Sequence, residues 1–135
     1  MDRLRLPRPL VNQILTQAQL SPDSEICGLI AAKNGAASRC YPVHNSAADP
    51  IHRYRMEPQA QIEALRQIRE ADETLLAIYH SHPHTPATPS TIDIEEANYP
   101  DAVYLIISLD IKGVLQISAF CIANGTASPL VLELL

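Results

Sequence analysis

Apolar residues along the chain keep two rhythms, and the switches between them mark out the elements. In "RPLVNQILTQAQL", Leu10, Val11, Ile14, Leu15 and Ala18 share one helical stripe, with Pro9 in the first turn, where a missing N–H costs nothing. That predicts a first helix. "SPDSE" is turn material, "ICGLIAA" reads as a buried strand, and Asn34-Gly35 signals a hairpin. The return strand is "SRCYPVHN", where Pro42 lacks a donor and so points to a sheet edge or a bulge. "SAADPIHRYRM" is irregular, with a short strand at its end. "EPQAQIEALRQIREA" predicts the clearest helix, with Pro58 near its start and Ile62, Leu65 and Ile68 or Arg69 defining its face.

The second half continues in the same way. "TLLAIYHSH" predicts a strand and "PHTPATP" a loop that cannot be helical. "STIDIEEAN" opens a short helix that Pro100 ends. "AVYLIISL" and "VLQISAFCIA" are apolar strands joined across "DIKG", "NGTASP" is a turn, and "LVLELL" is a closing strand. Six or so strands and three helices predict an α/β or α+β domain, with the strand order left open.

Composition narrows the class. A chain of 135 residues suits one domain, residues 1–135, large enough to bury a core without staples. With 47% apolar and 19% charged residues it reads as soluble and globular. A net charge of -5 leaves no basic footprint for nucleic acid. Cys27, Cys40 and Cys121 form neither a CxxC pair nor a disulfide framework, which predicts a reducing, cytoplasmic setting. The opening "MDRLRLPRPLVNQIL" lacks the apolar core of a signal peptide, and no apolar run approaches the roughly 20 residues that span a bilayer.

The candidate chemistry sits in "YHSHPHTPATPSTID", residues 79–93. Alternate side chains of a strand share a face, so His80 and His82 point one way and Ser81 the other. Two imidazoles at this spacing can converge on one metal ion. Pro83, Pro86 and Pro89 stiffen the loop beyond the strand. Ser90 and Asp93, three apart, lie on one face of a helix, so Asp93 can be a third ligand with Ser90 beside the ion. Three protein ligands and one open position is the catalytic zinc arrangement, and the nitrogen and oxygen donors suit zinc among divalent metals. Each residue also has a plainer reading. Ser90-x-x-Asp93 is a good helix start, with Ser as N-cap and an acid in the first turn. A bare His-x-His is also a surface pair at a strand end, and His84 reads as solvated.

Those residues resemble a known family. "HSHP", six residues, "S", two residues, "D" matches the JAMM, or MPN-plus, metalloprotease motif, and no required position departs from it. "SEICGLIAA" fits the upstream segment that carries the family's glutamate. "HNSAADPIHRYRMEP" and "YLIISL" look like its compact bacterial branch. The resemblance implies a cytidine-deaminase-like α/β MPN fold, a curved mixed sheet flanked by helices. It implies one zinc per chain on His80, His82 and Asp93, Glu25 as general base, and Ser90 as oxyanion donor. Spacing alone does not select Glu25 from Asp23, Asp49, Glu57, Asp72, Glu73, Glu95 and Glu96. Cys27, two residues on, would share the face of Glu25 and reads as a buried, inert thiol.

The resemblance further implies hydrolysis of a peptide or isopeptide bond after the Gly-Gly tail of a ubiquitin-like protein. The short chain leaves little room for the insertions that hold ubiquitin itself, which turns the expectation toward a small ubiquitin-like modifier or sulfur carrier. Two alternatives stand beside this. A non-catalytic MPN-type scaffold would have no need of all five residues. A zinc deaminase would want H-x-E with P-C-x-x-C, and no PCxxC exists here.

Overall fold

The computed structural model describes residues 2–135. The chain runs β1 (Arg3–Leu6), α1 (Arg8–Gln19), β2 (Cys27–Lys33), β3 (Ala36–Val43), α2 (Pro58–Glu70), β4 (Thr74–His82), α3 (Thr91–Glu95), β5 (Val103–Ser108), β6 (Gln116–Ala123) and β7 (Thr126–Leu134). The strands form one sheet in the order β1-β7-β6-β5-β4-β2-β3. Pairings β1–β7 and β4–β5 are parallel and the rest antiparallel, so the sheet is mixed. It curls far enough that its end strands, β1 and β3, approach one another. Register shifts in β2 at Ile30–Ala31 and Ala31–Ala32 help bend it.

Each face of the sheet is covered. On one, Leu10, Val11, Ile14 and Ala18 of α1 pack against Ile30, Tyr79, Leu105 and Ile107. On the other, Ala64 and Ile68 of α2 pack against Leu29, Ile78 and Tyr104. Central strands buried from both sides need apolar residues at every position, and β5 is buried throughout. The hairpin at Asn34-Gly35 turns with both residues at positive φ, 53° and 81°, a geometry that glycine and asparagine tolerate. Pro42 lies on β3, at the sheet's edge, where its missing donor breaks no ladder.

Several expectations need correction. β1 is an element that the sequence pattern does not predict. It is four residues with the alternating burial of a strand, and its partner β7 lies at the far end of the chain. The turn predicted over "NGTASP" is confined to Asn124-Gly125, and β7 already runs from Thr126 through Pro129, which lies before the stretch that pairs with β1. The face predicted for α2 holds at Leu65 and Ile68, which pack into the core, but not at Ile62, which is 62% exposed, or at Arg69, and Ala64 is buried in their place. α3 ends at Glu95, short of Pro100. The short strand expected near Met56 is a single bridge to Asn45. Among the described residues no helix is long and apolar enough to cross a membrane.

Candidate functional site

β4 carries the alternation that builds the site. Ala77, Tyr79 and Ser81 turn to the α1 side, while Ile78, His80 and His82 turn to the side of α2 and α3. Both histidines are buried. Their Nε2 atoms lie 3.1 Å apart, and Asp93 Oδ2 lies 3.1 Å from that of His80 and 3.0 Å from that of His82. Asp93 reaches them from the first turn of α3. Ser90 caps that helix: its Oγ accepts from Asp93 N at 3.0 Å, and its own N–H donates to Asp93 Oδ2 at 2.9 Å. This reciprocal box fixes the carboxylate's aim. The plain reading of Ser90 as an N-cap is thus realised, and through the same box it touches Asp93.

Glu25 lies two residues before β2. Hydrogen bonds across to β4 hold the strand start there: Ile26 N–H donates to Ser81 Oγ at 2.9 Å, and Ser81 N–H to Ile26 O at 3.0 Å. One ligand atom from each of Glu25, His80, His82 and Asp93 lies within 4.8 Å of the others. The remaining carboxylates do not join this group, and His84 is exposed, 3.8 Å from Asp23. A cleft of about 690 Å³ opens beside Asp93, lined among others by Tyr54, Met56, Gln61 and Tyr99.

Electrostatics here come from burial and from this contact set. Burial pushes the Glu25 carboxyl up to about 8; His82 pulls against it, while Asp93 and Asp49 push further. Burial also opposes charge on Asp93, yet hydrogen bonds from His80 and His82 outweigh it and hold that carboxyl well below the usual carboxylate range. Burial depresses the His80 imidazole more than Asp93 raises it. For His82 burial loses to Asp93 and the Pro86 carbonyl, and the imidazole is raised.

The residues fit a divalent cation. Ligand atoms about 2.0–2.1 Å from one tetrahedral zinc stand roughly 3.3 Å apart, close to the separations of the two Nε2 atoms and Oδ2. The His82 Nδ1–H donates to Pro86 O at 2.8 Å, which is the tautomer in which a neutral imidazole presents its Nε2 lone pair to a metal in place of a proton. Glu25 Oε1 is buried without a hydrogen-bond partner among the described residues. Cys27 is buried beside the site, its thiol donating to Val43 O at 3.3 Å; burial and then Glu25 push its pKa to about 12, which makes it inert.

Sequence reasoning missed three residues that build this arrangement. Pro86 supplies the carbonyl for His82, Tyr54 stacks on His80 with ring centroids 4.5 Å apart, and Asn45 ties the Glu25 backbone in place. Only the resemblance of "HNSAADPIHRYRMEP" touched Asn45 and Tyr54, and it named no role for them.

Known proteins share this architecture. Residues 7–119 match the family of prokaryotic homologs of the JAB domain. A desampylase of Haloferax volcanii is 35% identical over 81% of this chain and 83% of its own length. A probable TtuB-protein conjugate cleaving protease of Thermus thermophilus is 33% identical over 95% and 82%. A CysO-cysteine peptidase of Mycobacterium tuberculosis is 31% identical over 88% and 82%. Among solved structures, a Desulfitobacterium hafniense protein superposes with a TM-score of 0.86 at 29% identity, covering 97% of this chain and 92% of that one. A JAB1/MPN domain protein of Archaeoglobus fulgidus gives 0.61 at 14% identity over 98% and 96%, a likeness of fold.

Proposed function

The chain belongs to the prokaryotic homologs of the JAB domain, and from that membership we propose that it is a metallopeptidase acting on small ubiquitin-like proteins. It hydrolyses the peptide or isopeptide bond after the C-terminal Gly-Gly tail of such a modifier or sulfur carrier. The observation that carries this reading is the convergence of Glu25, His80, His82 and Asp93 beside an open cleft. The relatives' names, a desampylase, a conjugate cleaving protease and a CysO-cysteine peptidase, support the same bond class.

His80, His82 and Asp93 are the ligand set, for one zinc per chain. When bound there, zinc supplies Lewis acidity, polarising the scissile carbonyl and bringing the pKa of a water toward about 7. Glu25 takes up that water's proton at its carboxylate and returns it to the leaving amine. Glu25 Oε1 has no hydrogen-bond partner among the described residues, which leaves it free to accept that proton. Ser90 Oγ accepts from Asp93 N, so its own O–H remains free to donate to the carbonyl oxygen as negative charge develops. No nucleophile of the chain is needed. A thin glycine tail can enter a groove closed to bulkier chains, and main-chain pairing with a strand edge would hold it extended. We read residues 1–135 as one domain working in the cytoplasm.

The test is to incubate zinc-loaded protein with candidate sulfur carriers extended or conjugated beyond Gly-Gly, and to weigh the products. Mass loss ending at Gly-Gly, abolished by a chelator, is the expected result. Robust casein digestion with no cleavage of any carrier would sink the substrate assignment.

A further inference from the structure

The segment between β3 and α2 forms no helix and no named strand, yet one of its side chains ties it to the site. We propose that Asn45 is a positioning residue whose side-chain amide holds Glu25 and Tyr54 in one frame, and this rests on the catalytic reading of Glu25 above. Its Nδ2 donates to Glu25 O at 2.9 Å and to Arg53 O at 3.1 Å. Its Oδ1 accepts from Arg55 N at 2.9 Å and from Ala47 N at 3.0 Å. Both donors and both lone pairs of the amide are therefore used. Each nitrogen contact is a carbonyl and each oxygen contact an N–H, so the reverse orientation would break all four.

Two of those bonds fall on the residues either side of Tyr54. The backbone of Tyr54 is thus clamped from before and behind, at Arg53 O and Arg55 N. Its ring lies over His80 at 4.5 Å between centroids, with planes 25° apart. His80 needs that cover. Its Nδ1 is buried and makes no hydrogen bond among the described residues, whereas the equivalent atom of His82 is fixed by Pro86 O. A metal-ligating imidazole is normally oriented through its second nitrogen. Here stacking takes that part for His80. A third bond from Asn45 reaches Glu25 O, and Glu25 N–H donates to Pro50 O at 2.8 Å, so the same segment grips Glu25 through both its backbone N–H and its C=O. One amide sets the proton carrier and the orientation of one ligand together.

Asn45→Asp tests this with almost no change of shape. The carboxylate places an acceptor against two carbonyl oxygens, Glu25 O and Arg53 O. In the folded, zinc-loaded variant, kcat on a carrier extended beyond Gly-Gly is expected to fall roughly 10- to 100-fold, as for a reacting group misplaced by a fraction of an ångström. KM should stay within about threefold, because the tail's own contacts are untouched. Zinc affinity, read by competition with a chromophoric chelator, should fall roughly 10- to 100-fold. Ser46→Ala is the control. It removes one exposed hydrogen bond to Arg55 O from the same segment without touching Glu25, and should match wild type in all three readings. Wild-type kcat and zinc affinity in folded Asn45→Asp would overturn the proposal, as would equal losses in Ser46→Ala. Should Asn45→Asp not fold, the wild-type protein still decides: the side-chain amide protons of Asn45 must exchange with solvent far more slowly than those of an exposed asparagine, and fast exchange overturns the assignment. If wild type cleaves no Gly-Gly carrier, the functional reading falls, while zinc affinity and amide exchange still judge Asn45.

Discussion

The two faces of β4 show how one strand serves two purposes. Toward α1, Ala77 and Tyr79 are packing, and even the polar Ser81 spends its hydroxyl accepting from Ile26 N–H. Toward α2 and α3, His80 and His82 are equally buried, but they meet a carboxylate, and buried atoms there lack partners: His80 Nδ1 and Glu25 Oε1. An unpaired buried polar atom costs about 1–3 kcal/mol. Among the described residues such atoms of β4 and its neighbour Glu25 lie on the site face. One face is built for stability and the other keeps polar capacity in reserve for chemistry.

If this division is right, substitutions on the two faces should separate activity from stability. The largest effect belongs to the site face: Glu25→Gln keeps size and shape but removes the proton carrier, and should lower kcat by roughly 10²–10⁴-fold while zinc stoichiometry and fold persist. Steady-state cleavage and metal analysis check this, and wild-type turnover would assign the base elsewhere. On the opposite face, Leu105→Ala empties a fully buried position and should cost about 2–5 kcal/mol by denaturant unfolding, with turnover unchanged well below the melting temperature.

A smaller effect is expected where the α1 face limits backbone approach. A Cβ on Gly28 would collide with the Tyr79 ring and its Oη, and that hydroxyl also donates to Gln17 Oε1 at 2.6 Å. Gly28→Ala should therefore destabilise by about 1–3 kcal/mol through a displaced Tyr79. An unchanged melting curve would mean that the ring moves freely.

The last prediction is a pH slope in chelator-treated protein. Glu25 is held up to about 8 in the fold, against 4.5 as its ordinary value. Between those values the native state keeps a proton that the unfolded state has lost, so this carboxyl makes stability fall as pH rises. The slope is at most about 1.4 kcal/mol per pH unit. Glu25→Gln should be flatter than wild type over that window, and identical slopes would remove the buried-proton account.

Much of the site is legible in the sequence because its signals are local. Period-two alternation is enough to put His80 and His82 on one side of β4 and Ser81 on the other, and i, i+3 spacing is enough to join Ser90 to Asp93. The hairpin at Asn34-Gly35 and the edge position of Pro42 come from turn chemistry and a missing donor. α2 shows where such reasoning stops. Its period fits a stripe through Ile62 as well as one through Ala64 and Ile68, and only the sheet beneath decides which is buried. β1 is four residues long and pairs with β7 from the other end of the chain, so nothing near it announces it.

Glu25 marks the same boundary within the site. The motif resemblance points to it, while residue spacing does not select it from the chain's other carboxylates, because it lies 55 positions from His80 along the chain. The antiparallel register that sets Cys27 opposite His80 brings it there. What the sequence determined by itself is the local geometry: which side chains share a face, where helices start, and which residues can ligate. What the tertiary structure decided is the company those residues keep. The four bonds of Asn45 and the Pro86 carbonyl on His82 depend on backbone groups that every residue type presents alike, and the Tyr54 ring meets His80 only once the fold stacks the two. No side-chain pattern encodes a contact to a carbonyl until the fold brings that carbonyl near.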